Sequence, residues 1–272
     1  MLNAPVEIVY NINQQVNESD FWTKTKQELA AEKDLNVFKT WKTVNSIPIY
    51  HPHECFDQYR VEVEVLLKDK LNDEWTKVLK EPFLGHTEAS YATASKKIFN
   101  GTVECSAWTL KTAHHILTFQ AMTGKDITDY DQIVEFGSGI GETARMILDM
   151  GFKGDYLLYD LPETVRIPVF YLSKYDNVKA INNYTEIPQG KKTLFIGTWS
   201  LSEVPINYRN PIISHLKGET DYLIIFQKAI WGYDNLTYFT VDFPMLSNSY
   251  IKIQQIPWHA GWGGNYFLVT TK

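Results

Sequence analysis

From residue 125 onward, short runs of consecutive apolar residues alternate with segments of helical spacing. Glu142–Met150 and Pro162–Tyr175 carry the helical spacing, and each follows one of the apolar runs. Parallel strands that are buried on both faces have such continuous apolar runs. The pattern therefore predicts a parallel sheet with helices on both faces. Its predicted strands are Gln132–Phe136, Asp155–Tyr159, Val178–Ile181, Thr193–Gly197 and Asp221–Gln227.

The last two apolar runs differ from the earlier ones because no helix fits between them. Tyr250–Trp258 and Asn265–Thr271 alternate like strands, and the segment His259–Gly264 that joins them is rich in glycine. Two strands joined by a short loop pair antiparallel. The sequence thus predicts an α/β fold with a seven-stranded, mostly parallel sheet and a C-terminal antiparallel hairpin.

The region before the sheet has mainly helical spacing. Its predicted helices are Asp20–Lys33, Tyr59–Leu71 and Cys105–Met122. Ile47–Pro52 reads as an extended, proline-limited loop, and Gly124 is expected to end the third helix. We expect residues 1–110 to form a helical cap or lid over the carboxyl edge of the sheet, and residues 111–272 to form the sheet domain. A dimerisation element is the alternative for the first region.

Composition narrows the classes of function. The 272 residues carry a net charge of −6, which disfavours a protein that mainly grips nucleic-acid phosphates. Cys55 and Cys105 are too few for a disulfide framework and indicate a reducing compartment. Met1–Tyr10 lacks the basic and apolar regions of a signal peptide, and the longest apolar runs are too short to span a bilayer. We expect a soluble cytoplasmic protein.

The most informative motif lies where the first predicted strand ends and a helix begins. Gly137, Gly139 and Gly141 alternate with Ser138 and Ile140 at this turn. Glycines let the backbone turn tightly and approach a ligand closely, and the helix that follows offers unpaired N–H groups. Asp160 ends the second predicted strand, where a carboxylate is placed to accept both hydroxyls of a ribose. Together the turn and the acid predict a site for a nucleoside cofactor.

The spacing of the glycines indicates which cofactor. Dinucleotide sites carry GxGxxG, whereas this turn is GxGxG and is preceded by Glu135. A carboxylate facing the site would repel a pyrophosphate but suits the ammonium and sulfonium groups of S-adenosylmethionine. The alternative for Glu135 is a strand-end carboxylate that caps nearby backbone amides.

An acid followed by GxGxG, an acid ending the second strand and a reversed final strand resemble the class I S-adenosylmethionine-dependent methyltransferases, with their Rossmann-like fold. The resemblance covers roughly Ile127–Lys272. Asp160-Leu161-Pro162-Glu163 and the helix after it, through Phe170–Ser173, are similar to the sugar O-methyltransferase family. The tripeptide Asp160-Leu161-Pro162 at this position is also similar to that of plant-type small-molecule O-methyltransferases. The resemblance implies methyl transfer to a hydroxyl group.

The resemblance also implies a set of cofactor-binding residues. This set is Glu135, Gly137, Ser138, Gly139, Gly141, Asp160, Leu161, Asn182, Asn183 and Thr198. Asp160 is implied to hold the ribose, and Asn182 or Asn183 to pair with the adenine edge. An ordinary turn after the third strand is the alternative for the two asparagines.

The catalytic base is not carried over by the resemblance. The plant-type enzymes have a histidine after the fourth strand, and Gly197–Ser200 has none here. His259 in the hairpin turn and Glu203 after the fourth strand are the candidates for a base, with His86 as a third. The alternative for His259 is a plain hairpin turn with surface aromatics. The alternative for Glu203 is a capping box with Ser200.

The predicted function is in-line methyl transfer from S-adenosylmethionine to a sugar or other small hydroxylated acceptor. The alternatives are a non-catalytic module that binds S-adenosylmethionine, and a methyltransferase acting on nucleic acid or protein. Adenine-directed enzymes carry (N/D)PP(Y/F) after the fourth strand, and this chain has Thr198–Leu201 instead. No metal is predicted. The expected partner is the small acceptor rather than nucleic acid or a membrane, and a homodimer stays open.

Overall fold

The computed structural model describes most of the chain from residue 55 onward. The described residues are 27, 30–31, 55–80, 95–216, 218–230, 232–258 and 264–271. Of the predicted helix Asp20–Lys33 they include only Gln27, Ala30 and Ala31, which are helical. The predicted loop Ile47–Pro52 lies outside the described residues.

Regular elements cover most of these residues. The strands are β1 Ser95–Ile98, β2 Val103–Ser106, β3 Gln132–Phe136, β4 Asp155–Tyr159, β5 Val178–Ile181, β6 Thr193–Thr198, β7 Thr220–Gln227, β8 Ala229–Ile230, β9 Tyr233–Asp234, β10 Tyr250–Ile256 and β11 Asn265–Thr271. The helices are α1 Phe56–Leu67, α2 Asp73–Lys80, α3 Ala107–Thr123, α4 Glu142–Asp149, α5 Pro162–Tyr171, α6 Ile206–His215, α7 Asn235–Thr237 and α8 Phe243–Ser247, with a π-helical turn Tyr238–Asp242 joining the last two.

A seven-stranded sheet in the order β10-β11-β7-β6-β3-β4-β5 forms the centre of the fold. β7, β6, β3, β4 and β5 pair parallel, while β11 pairs antiparallel with both β10 and β7. The predicted α/β fold with its C-terminal antiparallel hairpin is confirmed. β3, β4 and β5 have the predicted bounds; β3 and β4 are short, mainly apolar runs, whereas β5 is an edge strand that contains Lys179.

Both faces of the sheet are covered, as continuous apolar strands require. Ile133 of β3 lies in a core with residues of α3, α4 and α1. Val134, its neighbour, lies in a second core with residues of α6 and α8 on the other face. α3 is buried around most of its circumference because the sheet covers one side and α1 the other.

The described part of the N-terminal region contains a hairpin as well as helices. β1 pairs antiparallel with β2, and Cys105 lies in β2 opposite Lys96. The predicted helix Cys105–Met122 therefore begins two residues later, after Ser106, whose hydroxyl accepts a hydrogen bond from the Thr109 N–H at 3.0 Å. Gly124 ends it with φ of 72°, as predicted.

The other helix bounds differ slightly from the prediction. α1 runs from Phe56 to Leu67, whereas the spacing predicted Tyr59–Leu71. α5 ends at Tyr171, four residues before the predicted end. The division of the chain after residue 110 stays a proposal, and α3 runs across that position. Cys55 and Cys105 are both buried, and they form no disulfide among the described residues. Among the described helices, none combines the length and the apolar character that a bilayer crossing requires.

Candidate functional site

The turn between β3 and α4 has the backbone that its glycines predict. Gly137, Gly139 and Gly141 have φ of 72°, 55° and 85°, in the left-handed region that favours glycine. A Cβ on Gly137 would lie 2.1 Å from the Cβ of Ser200, the second residue after β6. A Cβ on Gly139 would meet no described atom within 4 Å. The turn is thus packed at Gly137 against the segment that follows β6, and it is open at Gly139. A ligand can approach the turn at Gly139.

Asp160 lies beside this turn, as the sequence predicts. One carboxylate oxygen accepts hydrogen bonds from the Gly139 N–H at 3.1 Å and the Ser138 hydroxyl at 3.4 Å. The other accepts from the Leu161 N–H at 2.7 Å, at the start of α5. Burial raises the pKa of the Asp160 carboxyl to about 6, although these hydrogen bonds favour its charged form. One acid therefore connects the turn after β3 with the end of β4.

Glu135 lies beneath the turn and is buried. Its carboxyl accepts a hydrogen bond from the Tyr156 hydroxyl at 2.9 Å and a second from the side chain of Thr143. Both partners are side-chain hydroxyls, which differs from the alternative of a cap on backbone amides. Burial raises the pKa of Glu135 to about 8, so near neutral pH this carboxyl holds a proton until a cation approaches it.

The raised pKa of Glu135 gives a testable dependence of stability on pH. The folded chain binds this proton more tightly than the unfolded chain, so stability falls as pH rises from about 5 toward 8. Glu135→Gln removes the titration and keeps an acceptor for Tyr156. We expect the variant to gain about 2 kcal/mol relative to the parent between pH 5 and pH 7.

Urea unfolding at both pH values measures this difference. Glu219→Gln, at an exposed carboxylate, is the control and should leave the parent's pH dependence unchanged. A Glu135→Gln variant whose stability tracks the parent at both pH values would show that Glu135 titrates normally.

The two predicted asparagines have different roles. Asn183 caps the 3₁₀ turn Tyr184–Glu186, because its side chain accepts from the Thr185 N–H while Glu186 accepts from the Asn183 N–H. The Asn182 Oδ1 atom is buried and has no hydrogen-bond partner in the described part of the chain. Only Asn182 therefore offers an unused acceptor at the end of β5. Thr198, half-buried, ends β6 beside the same sheet edge.

Of the three candidates for a base, the described residues include only Glu203. Glu203 is half-buried and ends the 3₁₀ turn Leu201–Glu203. The alternative capping box with Ser200 is wrong, because the Ser200 hydroxyl donates to the Phe136 carbonyl oxygen at the end of β3 instead. His259 and His86 lie outside the described residues. The part of the chain that the structure describes contains no cluster of three metal-ligating side chains.

A cation between two indole rings is the main feature that the sequence did not reveal. The Lys111 Nζ atom on α3 lies 4.1 Å from the ring centroid of Trp108 and 5.0 Å from that of Trp199. Lys111 is only 8% exposed. Burial lowers its pKa to about 8, partly offset by the charge of Glu142. Trp108 and Lys111 share a helix face by spacing, but only the fold brings Trp199 to them.

Trp199 is held in an uncommon backbone conformation. Its φ is 63°, which costs a residue with a Cβ about 1–2 kcal/mol. Its N–H donates to the Ile225 carbonyl oxygen at 2.7 Å, and its indole N–H donates to Asn265 at 2.7 Å. These bonds to β7 and β11 fix the ring directly after β6. Such strain is common at functional sites.

A buried ion-pair network supports α4 directly after Gly141. Arg145 is 1% exposed and donates to both carboxylate oxygens of Glu142, at 2.5 and 3.0 Å. It also donates to Asp149 at 3.1 Å and to the Val78 carbonyl oxygen at 3.4 Å. Glu142 accepts a further bond from the Thr109 hydroxyl at 3.2 Å. The network joins the first turn of α4 to α3 and α2.

An aromatic stack joins α1, α3 and the end of β10. Tyr59, His114 and Trp258 make edge-to-face contacts with ring centroids 5.3–5.9 Å apart. His115 continues the stack to Trp199 at 5.5 Å. The adjacent histidines on α3 thus make edge-to-face ring contacts. Through them, the aromatic cluster extends from Tyr59 on α1 to Trp199 at the sheet edge.

Comparisons with known proteins give likeness in fold. No family model matches the sequence, and no curated protein matches it. Among solved structures, the methyltransferase domain of bacterial CtHen1 is similar over 60% of this chain and 97% of its own, with 9% identity and a TM-score of 0.47. A precorrin-6Y C5,15-methyltransferase from Geobacter metallireducens is similar over 58% and 86%, with 13% identity and a TM-score of 0.40.

A methyltransferase from Aquifex aeolicus, described as dependent on S-adenosylmethionine, is similar over 51% of this chain and 80% of its own. Its identity is 14% and its TM-score 0.38. Values this low transfer neither a substrate nor a residue role. The Rossmann-like assignment of this chain rests on its own strand order and on the antiparallel β11.

Proposed function

We propose that this chain is an S-adenosylmethionine-dependent methyltransferase that transfers a methyl group in line to a hydroxyl of a small acceptor such as a sugar. The observation that carries the proposal is the contact of Asp160 with Gly139 at the carboxyl edge of the sheet. It joins an acid-GxGxG turn to an acid at the end of the next strand, the arrangement that a nucleoside cofactor requires.

The strand order supports this location. β3 lies between β4, which follows it in the chain, and β6, which comes later, so the chain changes direction across the sheet at β3. In open α/β sheets, ligands bind in the crevice at such a switch point, outside the carboxyl ends of the strands. The Gly-rich turn follows β3 and Trp199 follows the neighbouring strand β6, so both lie at this edge of the sheet, where Gly137 packs against Ser200.

The side chains present fit the parts of S-adenosylmethionine. Glu135 and the open face at Gly139 suit its cationic amino-acid end, and Asp160 suits the ribose hydroxyls. Asn182 offers its unpartnered Oδ1 atom to an adenine amino group. The cofactor supplies an electrophilic methyl group, and the residues of this chain bind it, exclude water and orient the acceptor.

The acceptor class is supported by charge and by the indole rings. The net charge of −6 disfavours a polyanionic acceptor such as nucleic acid. Trp108 and Trp199 are half-buried around Lys111, and aromatic side chains typically line sites for small molecules. These features support a small, uncharged acceptor with hydroxyl groups.

Calorimetric titration of the purified protein tests the cofactor. We expect S-adenosylmethionine and S-adenosylhomocysteine to bind and NAD not to bind. Asp160→Ala should lower the affinity for both ligands about tenfold or more, because charge-assisted hydrogen bonds to the ribose are lost. Because Asp160 also bonds Ser138 and Gly139 in the turn, thermal unfolding should first show that the variant is folded at the temperature of the titration.

Asp176→Ala, at an exposed carboxylate before β5, is the control and should leave the affinity unchanged. Equal affinity of the parent and Asp160→Ala would remove the ribose assignment. Binding of NAD in place of the other two ligands would refute the proposed function.

A further inference from the structure

The amine of Lys111 is buried at the carboxyl edge of the sheet without an ion-pair partner among the described residues. Its contacts are the faces of two indole rings, one on its own helix and one directly after β6. Burying a cation against aromatic faces, without a carboxylate, costs free energy that a surface lysine avoids. Such an amine is a candidate for chemistry.

A ring contact and an electrostatic interaction place Lys111 beside the proposed cofactor crevice. Trp199 precedes Ser200, which contacts Gly137 at one end of the Gly-rich turn. Glu142, whose charge acts on Lys111, follows Gly141 at the other end of the turn. The amine therefore lies on the side of the crevice formed by α3 and the residues after β6.

We propose that Lys111, held between Trp108 and Trp199, is the general base that accepts the proton of the acceptor hydroxyl. This inference rests on the proposed function. It assigns to Lys111 the role of base, for which the segment after the fourth predicted strand offers no histidine. The acceptor it fits is an uncharged hydroxyl compound whose ring lies against the indole faces.

The reaction balances with Lys111 as the proton acceptor. The acceptor oxygen forms a bond to the methyl carbon, and the carbon–sulfur bond breaks with its electron pair going to sulfur. The hydroxyl proton passes to the neutral amine of Lys111, which becomes an ammonium. A pKa of about 8 leaves a useful fraction of the amine neutral near pH 7, which a surface lysine does not have.

Burial favours the neutral amine of Lys111, whereas the charge of Glu142 favours the ammonium. The Glu142 carboxylate is already paired with Arg145 on α4. On α3, His114 and His115 make edge-to-face contacts with Tyr59 and Trp199. A neutral amine also avoids repulsion with the sulfonium of the cofactor, whereas an ammonium would weaken binding of the charged cofactor.

This repulsion provides a test that needs no acceptor. The dissociation constants of S-adenosylmethionine and S-adenosylhomocysteine are measured by calorimetry from pH 6.5 to pH 8.5. We expect the dissociation constant of S-adenosylmethionine, divided by that of S-adenosylhomocysteine, to fall about tenfold in the parent as Lys111 loses its proton. The same ratio should not show this fall in Lys111→Met. Lys111→Met corrects for titration of the ligands themselves. Lys111→Arg, which stays charged, should keep the ratio high throughout.

Lys96→Met is the matched control, because Lys96 also lies over an aromatic ring, Phe56, but is exposed on β1. It should behave like the parent. If a Lys111 variant fails to fold, acetic anhydride labelling of the parent still tests the proposal: Lys111 should titrate near pH 8, below the usual range for a lysine side chain.

The two hypotheses fail in different ways. If neither ligand binds the parent, the proposed function is wrong. If both bind and their ratio follows the same course in the parent and Lys111→Met, the cofactor site stands and Lys111 is not beside the sulfonium. A Lys111 that labels like the exposed lysines would also overturn the proposal.

Discussion

Arg145→Met is expected to lower the free energy of unfolding by about 3–5 kcal/mol, the cost of breaking a buried ion pair by removing one partner. Arg145 is 1% exposed and donates to Glu142, to Asp149 and to a backbone carbonyl. Methionine fills much of the volume but leaves the buried Glu142 carboxylate with the Thr109 hydroxyl and without its ion-pair partner. Urea unfolding at neutral pH measures the loss.

The chain contains a matched control with the same spacing. Arg60 on α1 pairs with Asp57 three residues earlier and Glu64 four residues later, as Arg145 does with Glu142 and Asp149. Its side chain, however, is 35% exposed. Arg60→Met should therefore cost at most about 1 kcal/mol. Similar losses for the two variants would show that burial adds nothing to the Arg145 network.

Gly137→Ala is expected to destabilise the fold by about 3–4 kcal/mol and to abolish detectable binding of S-adenosylhomocysteine. The new Cβ would lie 2.1 Å from the Ser200 Cβ, so one of the two segments must move. The φ of 72° adds the strain of a left-handed residue with a side chain. Displacement of the turn would also separate Gly139 from Asp160.

Strain and clash can be separated by experiment. Gly190 has φ of 77° with open space around it, so Gly190→Ala should cost only about 1–2 kcal/mol. Adding Ser200→Gly to Gly137→Ala removes the clashing atoms and should restore part of the stability. No recovery in the double variant would mean that the backbone conformation, rather than Ser200, makes Gly137 necessary. Thermal unfolding and calorimetry supply both measurements.

The sheet and the Gly-rich turn were predictable because their signals are local. β3 and β4 are short, mainly apolar runs with clear ends, and Gly137, Gly139 and Gly141 mark a turn whose φ values they favour. The placement of Asp160 followed from a rule about parallel strands: neighbouring strands end at the same edge. Each inference used residues adjacent in sequence or a topology with few alternatives.

The remaining features depend on contacts between distant segments. Ser200 and Glu203 have the spacing of a capping box, but the Ser200 hydroxyl instead bonds the Phe136 carbonyl oxygen, a partner that spacing cannot reveal. The approach of Trp199 to Lys111 likewise requires the fold. Cys105 was assigned to a helix because nothing in its neighbourhood indicates that Lys96 would pair with it in a hairpin.

The position of β11 has a consequence for the order of folding. Among the seven strands of the sheet it is the last in the chain, yet it lies between β7 and β10. During synthesis, the edge of β7 stays open until β11 arrives, and β10 has no partner in the sheet before then. Open edges of this kind invite association between incomplete chains. Conditions that slow the entry of β11 should therefore favour aggregation of nascent chains more than unfolding of the finished protein.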